Sequence, residues 1–125
     1  MPGESPPLTP FERGFLVGIL IGEGSFGGDG KQPQITVRMH TRHEALFHQL
    51  VRLFPRTRLY GPYHHGDRSY YQWMARGPAL VEDVLPVLDD SLVADLDGHA
   101  AERYIAMTSK YADYIARIRS RGVVS

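Results

Sequence analysis

Hydrophobic and polar residues alternate in some parts of the chain and cluster in others, and this pattern separates predicted strands from predicted helices. The alternation is strict from Gln34 to His40, which predicts a half-buried strand. One face of this strand is apolar and consists of Ile35, Val37 and Met39. The opposite face is polar and consists of Gln34, Thr36, Arg38 and His40.

The first helix is predicted to begin directly after Thr9. Thr9 can act as the N-cap, Pro10 suits the first helical position, and Glu12 completes a capping box. An apolar run then continues to Ile21, and the glycine-rich passage from Gly22 to Gly30 ends the helix.

Turn and capping residues place the next elements along the chain. A second capping box, Thr41 to Glu44, predicts a helix that extends to about Phe54. Its predicted inward residues are Leu46, Leu50 and Val51. Further strands are predicted at Ser25–Phe26, Thr57–Tyr60 and Tyr70–Ala75, with a loop at Gly61–Ser69 between the last two.

Two helices complete the predicted order of elements. A short helix runs from Gly77 to about Leu88, and a last helix runs from about His99 to Arg119. The last helix is expected to pack through Tyr104, Ile105, Tyr111, Tyr114 and Ile118. The order is then αββαββαα, an α+β domain over residues 9–121 with a flexible leader at 1–8 and a tail at 122–125.

The composition indicates an ordinary globular domain. The chain has 125 residues, of which 42% are apolar and 22% are charged, which suffices for one domain with a core. It contains no cysteine, which excludes disulfides and thiolate metal sites and favours an intracellular location. The apolar run from Phe15 to Ile21 is too short to span a bilayer. No cleavable signal sequence is recognisable at the amino end, so we expect a cytoplasmic protein with no membrane partner.

Charge is distributed unevenly along the chain, although the formal net charge is zero. Between Lys31 and Arg76 there are eight Lys or Arg residues, two acids and five of the six histidines. Between Gly77 and Glu102 there are seven acids and no Lys or Arg. Such asymmetry favours an anionic partner, nucleic acid above all, for the basic half. The alternative is a solvated surface whose charges are uneven by chance.

Gly14, Gly18 and Gly22 lie four residues apart on one stripe of the first helix. Each glycine inside a helix costs roughly 0.5–1 kcal/mol relative to alanine, so the stripe requires a reason. Small residues at this spacing allow a second helix to approach closely. The helix also ends near Gly22, which places the Glu23 carboxylate at a terminus that is already negative. A divalent cation there would favour carboxylate and carbonyl oxygens together.

The segment Leu16–Gly24, with Ser25 and Phe26 after it, is similar to the motif that defines the LAGLIDADG homing endonuclease family. The resemblance implies an αββαββα unit whose four-stranded antiparallel sheet forms a saddle over the major groove of double-stranded DNA. One motif in a short chain implies a homodimer, with Gly14, Gly18 and Gly22 at the interface. By matching position, Glu23, together with a helix-end carbonyl at Gly22, would hold the catalytic Mg²⁺ or another divalent cation.

This sequence departs from the family pattern at several positions. Ile21 stands where the first acid of the motif is usual. The second strand and helix place Met39 and His43 where a glutamine and an arginine commonly assist the site, so His43 is the remaining candidate for an assisting catalytic residue. The basic residue that often precedes the last helix would fall near Leu96 or Asp97, neither of which can replace it.

The polar strand face and the loops supply candidate contacts to DNA. Arg38 can reach guanine edges and Gln34 can read adenine. Lys31, Arg58 and Arg68 are better suited to phosphates, which position a protein without specifying a sequence. The complete predicted set is Lys31, Gln34, Thr36, Arg38, His40, Arg58, His64, His65, Arg68, Tyr70 and Gln72. The alternative is an ordinary solvated sheet face.

Other motifs in the chain are weaker. Gly22–Gly27 also spells GxGxxG, but Asp29-Gly30 and Pro33 prevent the helix that a dinucleotide site needs after it. A kinase would need a much longer chain with further motifs. His43 and His48 are five residues apart rather than four, which excludes a zincin site. The solvated end of a helix is the simplest interpretation of Arg117, Arg119 and Arg121.

Two classes of function therefore remain open. The first is a metal-dependent homing-type endonuclease, which the intact Glu23 supports. The second is a DNA-binding regulator or relic on the same scaffold that no longer cleaves. Met39, His43 and the missing basic residue support this second class.

Overall fold

A four-stranded antiparallel sheet, with helices packed against one of its faces, forms the protein in a computed structural model that describes residues 8–121. Residues 1–7 of the predicted leader and the predicted tail at 122–125 lie outside the described residues. Leu8 is described, and it packs partly buried against the core. Within residues 8–121, no helix has the length and apolar character that a membrane crossing requires.

The elements follow the predicted α+β order. The first half of the chain contains α1 (Pro10–Glu23), β1 (Gly24–Gly28), β2 (Pro33–His40), a 3-10 turn (Thr41–His43), α2 (Glu44–Leu53), β3 (Arg58–His65) and β4 (Arg68–Arg76). The second half contains α3 (Gly77–Ala79), a π-helical turn (Leu80–Val84), α4 (Leu85–Asp89), α5 (Gly98–Lys110) and α6 (Ala112–Arg121). Neighbouring strands are antiparallel in the order β1-β2-β4-β3, which confirms the predicted fold class.

Helix α1 begins with the predicted capping box. The Glu12 amide donates to Thr9 Oγ1 at 3.1 Å, and the Thr9 amide donates to Glu12 Oε1 at 2.9 Å. The helix ends at Glu23 because Gly24 turns into extended backbone while its amide still donates to the Leu20 carbonyl. A Cβ at Gly24 would lie 2.6 Å from that carbonyl oxygen, so only glycine fits the junction. Glu23 therefore occupies the last helical position, as predicted.

The core lies between the sheet and the helices and is centred on Trp73. Ile35, Val37 and Trp73 are fully buried on the helix-facing side of the strands. The Trp73 indole donates from Nε1 to Thr57 Oγ1 at 2.8 Å, and Thr57 donates to the Phe54 carbonyl at 2.6 Å. This chain of hydrogen bonds satisfies the polar atoms that the core encloses at this point.

The predicted loop at Gly61–Ser69 is wrong over most of its length. Strand β3 continues to His65 and β4 begins at Arg68, so only a tight turn separates them. The pairing of β3 with β4 shifts register between Tyr60 and Tyr63, where Gly61 adopts a φ of 105°. Glycine and proline are tolerated inside a strand at such an irregularity, which is why a turn-rich sequence still forms a strand.

The second predicted capping box is also wrong. The Arg42 amide donates to His40 Nδ1 at 2.9 Å, so His40 caps a 3-10 turn, and α2 begins only at Glu44, with no side-chain cap. The residues of α2 that face the core also differ from those predicted. Phe47 and Leu50 are buried, whereas Leu46, which was expected inside, is 37% exposed.

The last helix, predicted as one element, is interrupted at Tyr111. Its backbone departs from helical geometry there, with φ −108° and ψ 25°. The Tyr111 hydroxyl accepts a hydrogen bond from the Gly30 amide at 3.0 Å, which ties the interruption to the turn after β1. Tyr104 and Ile118 are buried as predicted, but Ile105 is 59% exposed because it lies beside the buried stripe of α5.

Candidate nucleic-acid interface

The face of the sheet that points away from the helices, called the outer face below, is polar. The strand register places Arg38 opposite Gln72, His40 opposite Tyr70 and Gln34 opposite Arg76. On the other side of β4, Arg58 lies opposite Met74. The outer face consists of Ser25, Gly27, Gln34, Thr36, Arg38, His40, Arg58, Tyr60, Tyr63, His65, Arg68, Tyr70, Gln72, Met74 and Arg76.

The outer face is basic because none of the four strands contains an Asp or Glu residue. Its four arginines are Arg38, Arg58, Arg68 and Arg76. A surface with cations and no acids carries a positive potential that attracts polyanions. The overall charge of zero therefore conceals one face that is uniformly positive.

Four of the eight cations between Lys31 and Arg76 do not belong to this face, namely Lys31, Arg42, Arg52 and Arg56, and two of these four are paired with acids. Arg56 forms a fork to Asp83, with nitrogen to oxygen distances of 2.8 and 2.9 Å, and reaches Glu82 at 3.0 Å. These hydrogen bonds raise the pKa of the Arg56 guanidinium. Arg52 lies 3.8 Å from Glu12. Both arginines are paired with acids of the helical layer, although Arg56 also lines a groove beside Arg58 at the edge of the outer face.

Arg38 is held in place at the centre of the outer face. It donates from Nε and Nη2 to Gln72 Oε1, at 3.2 and 2.7 Å. Its guanidinium also lies 5.3 Å from the centre of the Tyr70 ring, which in turn packs against Tyr63 at 5.4 Å. The arrangement fixes the guanidinium plane while leaving its other N–H groups available to a ligand.

A groove of about 480 Å³ adjoins this cluster and gathers several of the predicted contacts. Arg38, His40, His65, Arg68 and Tyr70 all line it, so the structure brings together residues from three strands. The groove combines hydrogen-bond donors with an aromatic ring, which suits contacts to bases and phosphates.

A second groove of about 380 Å³ lies at the opposite end of the outer face. Arg58, Arg76 and Tyr60 line it. The sequence interpretation included Arg58 but missed Arg76 and Tyr60. The signal for Arg76 was present in the chain, because it follows Gln72 by four residues and therefore points to the same side of the strand.

His64 does not belong to the outer face, although it was predicted to contact DNA beside His65. Adjacent residues in a strand point to opposite sides, and His64 pairs with Ser69 on the side of the helices. Its Nδ1 lies 2.8 Å from Ser69 Oγ. Only His65 of this pair faces the same way as Arg68.

Lys31 lies in the turn between β1 and β2, beyond the edge of the outer face. The Asp29 carboxylate accepts hydrogen bonds from the Lys31 and Gln32 amides at 2.9 and 2.8 Å. These bonds lower the pKa of Asp29. The acid therefore shapes the turn, and the exposed Lys31 side chain extends the basic surface past the strands.

The predicted metal and catalytic residues lie at one end of the sheet. Gly24 pairs with Val37, so Glu23 is next to the end of β2, and the 3-10 turn that contains His43 follows that end. Glu23 and His43 are both exposed. Within residues 8–121, Glu23 has no described hydrogen bond or ion pair, and no group of three His, Cys, Asp or Glu side chains is placed to hold a metal ion. The chain thus offers a single exposed carboxylate next to the carbonyls at the end of α1.

The glycine stripe of α1 is exposed. A Cβ added at Gly14, Gly18 or Gly22 would meet nothing within 4 Å, so the fold of one protomer does not require glycine at any of these positions. The stripe borders a groove of about 660 Å³, to which Val17, Ile21 and Leu96 also contribute. An apolar groove beside a row of small residues is a surface on which another helix can pack closely.

Comparison with solved structures identifies the fold. Similar structures include the group I intron-encoded homing endonuclease I-CeuI complexed with DNA, which matches with a TM-score of 0.61 and 18% identity over 95% of this chain and 59% of that chain. A mutant of I-SmaMI matches with a TM-score of 0.54 and 16% identity over 87% of this chain and 45% of that chain. The homing endonuclease I-TnaI matches with a TM-score of 0.50 and 14% identity over 87% of this chain and 96% of that chain.

These matches define the class of fold. The chain has the fold of LAGLIDADG homing endonucleases, as the α1 motif predicted. It spans 59% and 45% of the length of the first two structures. No protein-family model matches the sequence, and no curated protein matches it.

Proposed function

We propose that this protein binds double-stranded DNA across the outer face of its sheet. The observation that carries the proposal is the absence of Asp and Glu from all four strands, combined with four arginines on that face. The major groove of DNA admits a β-ribbon, and a basic surface gains affinity by neutralising the phosphates of the backbone. The likeness of the fold to a homing endonuclease complexed with DNA supports the same partner.

The residues of the outer face divide into two roles under this proposal. Arg38, which is fixed by Gln72 and Tyr70, is placed to donate to base edges. Gln34 lies on the same face of β2, four residues before Arg38. Rigid donors on a strand suit base recognition because they lose little side-chain entropy on binding. Other members are suited to phosphates because they lie nearer the ends of the strands, namely Arg58, Arg68 and Arg76.

We further propose that two copies pair along the glycine stripe of α1. The exposed stripe has no role within one protomer, and the apolar groove beside it matches the packing surface that a second α1 helix needs. A symmetric pair in which the two α1 helices run parallel would bring both Glu23 carboxylates to the same end of the dimer, because α1 ends at Glu23. The incomplete set of donors in one protomer would then be completed by its partner.

The donors at this helix end fit Mg²⁺ or another hard divalent cation. Carboxylate and backbone carbonyl oxygens are the ligands that such cations prefer, and Glu23 is exposed with no described partner. A bound cation would stabilise the charge that develops on a phosphodiester and promote attack by water. In this arrangement Glu23 would bind the cation, the outer face would position the DNA backbone, and His43, in the 3-10 turn after β2, would assist proton transfer. The proposed activity is metal-dependent cleavage of duplex DNA.

A second candidate function is DNA binding without cleavage. Met39 is partly buried against the core and offers no polar group, and residues 8–121 contain no group of three His, Cys, Asp or Glu side chains placed to hold a metal ion. A site this sparse favours a regulator that has kept the DNA-binding surface of the fold and lost the chemistry.

Selection from randomised duplex DNA, with and without magnesium, tests both functions together. Wild type is expected to enrich a specific duplex and to cleave it only with magnesium. Glu23→Gln is expected to bind the same duplex and not cleave it, whereas Glu102→Gln, an exposed acid on α5, serves as the control and cleaves normally. Enrichment without cleavage supports the regulator. Cleavage by Glu23→Gln at the wild-type rate contradicts the metal role, and no enrichment contradicts DNA binding itself.

A further inference from the structure

A second basic site lies away from the strands, where the junction of α5 and α6 meets the turn between β1 and β2. It is a pocket of about 240 Å³ lined by Gly30, Lys31, Lys110, Tyr111, Asp113, Tyr114 and Arg117. Three of the lining residues are cationic and one is acidic, so the pocket carries a net positive charge. Neither Lys110 nor Arg117 belongs to the outer face.

Two tyrosines build this pocket and anchor it to the turn. The Tyr111 hydroxyl accepts from the Gly30 amide at 3.0 Å, and the Tyr114 hydroxyl donates to Gln32 Oε1 at 3.2 Å. One of the cations also lies over each tyrosine ring. Lys110 Nζ lies 5.6 Å from the centre of the Tyr111 ring, and the Arg117 guanidinium lies 5.2 Å from that of Tyr114. Cation–π contacts of this kind hold the charges near the rings.

Within the part of the chain that the structure describes, Arg117 forms no ion pair with an acid. Among residues 8–121 no ion pair is described for Lys31, Lys110 or Arg117. Arg119, two residues further along α6, contrasts with them because it lies 3.1 Å from Asp89. Arg117 is exposed, as expected for a solvated helix end, but unlike Arg119 it also lies against a tyrosine ring and lines this pocket with two other cations.

The pocket is continuous with the candidate DNA interface. Gln32, which accepts from Tyr114, also lines the groove that contains Arg58 and Arg76. Gln32 therefore lies between the two basic sites, whose cations together form a positive rim at the end of the sheet opposite Glu23. A duplex that lies on the outer face and continues past this end would carry its backbone along the rim.

We propose that Lys31, Lys110 and Arg117 bind a backbone phosphate of the duplex beyond the base pairs that the outer face covers. Arginine and lysine donors converging on one concave site suit a phosphate group, and the single carboxylate of Asp113 offsets only one of their three positive charges. This inference rests on the proposed DNA binding. It extends the footprint of each protomer without adding base recognition.

The test compares Lys110→Ala/Arg117→Ala with wild type on the duplex enriched by wild type. In a plot of log affinity against log salt concentration, the slope for the double variant should be less steep than that of wild type by about 0.9 for each phosphate contact removed. The base preference of the double variant should stay unchanged. Arg117→Lys should retain the slope because it keeps the charge. Arg119→Ala is the matched control, since it removes one positive charge from the same helix without touching the pocket.

Trimming the duplex pair by pair from its ends gives an independent measurement. Wild-type affinity should drop once the flanking phosphate is removed, and the double variant should show no such drop. A double variant with the wild-type slope and the wild-type length dependence overturns the inference while leaving DNA binding intact. An equal loss of slope in Arg119→Ala overturns it as well, because general charge would then explain the effect. Failure of wild type to bind any duplex overturns the proposed function instead.

Discussion

At the scale of single residues, the polar centre of the core depends on Thr57. Its hydroxyl accepts from the Trp73 indole and donates to the Phe54 carbonyl, and its side chain is buried. Thr57→Val keeps the volume but leaves the buried Trp73 indole without an acceptor, while the Phe54 carbonyl keeps only the hydrogen bond from the Thr57 amide. The loss should destabilise the protein by about 1–3 kcal/mol. Urea unfolding measures the loss. Thr108→Val, which removes a hydroxyl from an exposed hydrogen bond, is the control and should change stability little.

The pairing of Glu44 with Tyr71 predicts a dependence of stability on acid pH. The Tyr71 hydroxyl donates to the Glu44 carboxylate, which lowers the pKa of Glu44, and His48 lowers it further. Because the folded pKa lies below the unfolded value, this contribution to stability is present above the ordinary pKa of a glutamate. It is lost as pH falls through the lowered value.

Tyr71→Phe tests this dependence. The variant should unfold at lower urea concentration than wild type near neutral pH, and the difference should shrink as the solution becomes more acidic than the ordinary glutamate pKa. Tyr63→Phe, on the exposed end of β3, should show no such change with pH. A difference between Tyr71→Phe and wild type that stays constant down to acid pH would show that the hydroxyl acts without the charge of Glu44.

At the scale of the elements, the close approach of β1 to Tyr111 ties the sheet to the last two helices. A Cβ at Gly28 would overlap the Tyr111 ring and lie 2.6 Å from the Gln32 carbonyl oxygen. Gly28→Ala should therefore destabilise the protein by about 1–3 kcal/mol, the usual cost of overpacking. Gly27→Ala, one residue away, adds its Cβ to open space and should be nearly neutral. Equal stability of the two variants in urea would contradict this packing.

The elements that sequence predicted best are those with a local cause. The Thr9–Glu12 capping box and the alternation of β2 depend on neighbouring residues, and both are confirmed. Two of the elements that it predicted wrongly depend on distant partners, whereas the second capping box failed for a local reason, since His40 caps the turn instead. The strand beyond Gly61 forms because β4 pairs with it, and the interruption at Tyr111 follows from a hydrogen bond to Gly30.

The candidate site shows the same division between local and distant causes. Arg38 and Gln34 were assigned to the outer face from alternation within one strand, and the register confirms that they lie there. Arg76 could also have been assigned from alternation, because it follows Gln72 by four residues, whereas the exclusion of His64 required the pairing of β4 with β3. Arg117 could not be distinguished from Arg119 in the sequence, because only folding brings one to a tyrosine and the other to Asp89.

At the scale of the whole molecule, charge is sorted between the two faces of the sheet. Acids of the segment from Gly77 to Glu102 lie behind the strands, where Glu82 and Asp83 pair with Arg56 and Asp89 pairs with Arg119. The outer face keeps its arginines without a described acidic partner. A net charge of zero is therefore compatible with a strongly basic ligand-binding face.

The proposed dimer predicts that Gly18→Leu separates the protomers. A leucine at the middle of the exposed stripe would keep the second α1 helix from approaching, while one protomer has open space for it. Light scattering should report the monomer mass, with helical circular dichroism retained. Gly98→Leu, also an exposed glycine with open space around it, is the control and should remain a dimer. A dimer of Gly18→Leu as stable as wild type would rule out this interface.

The most direct test of DNA binding by the outer face is a comparison of Arg38→Ala, Arg68→Ala and Arg52→Ala on a panel of related duplexes over a range of salt. For wild type, log affinity should fall linearly with log salt concentration, with a slope of about 0.9 for each phosphate contacted. Arg38→Ala should lose discrimination between bases, Arg68→Ala should weaken all duplexes alike, and Arg52→Ala, whose charge is paired with Glu12, should match wild type. Identical behaviour of the three variants would contradict the assignment of DNA to this face.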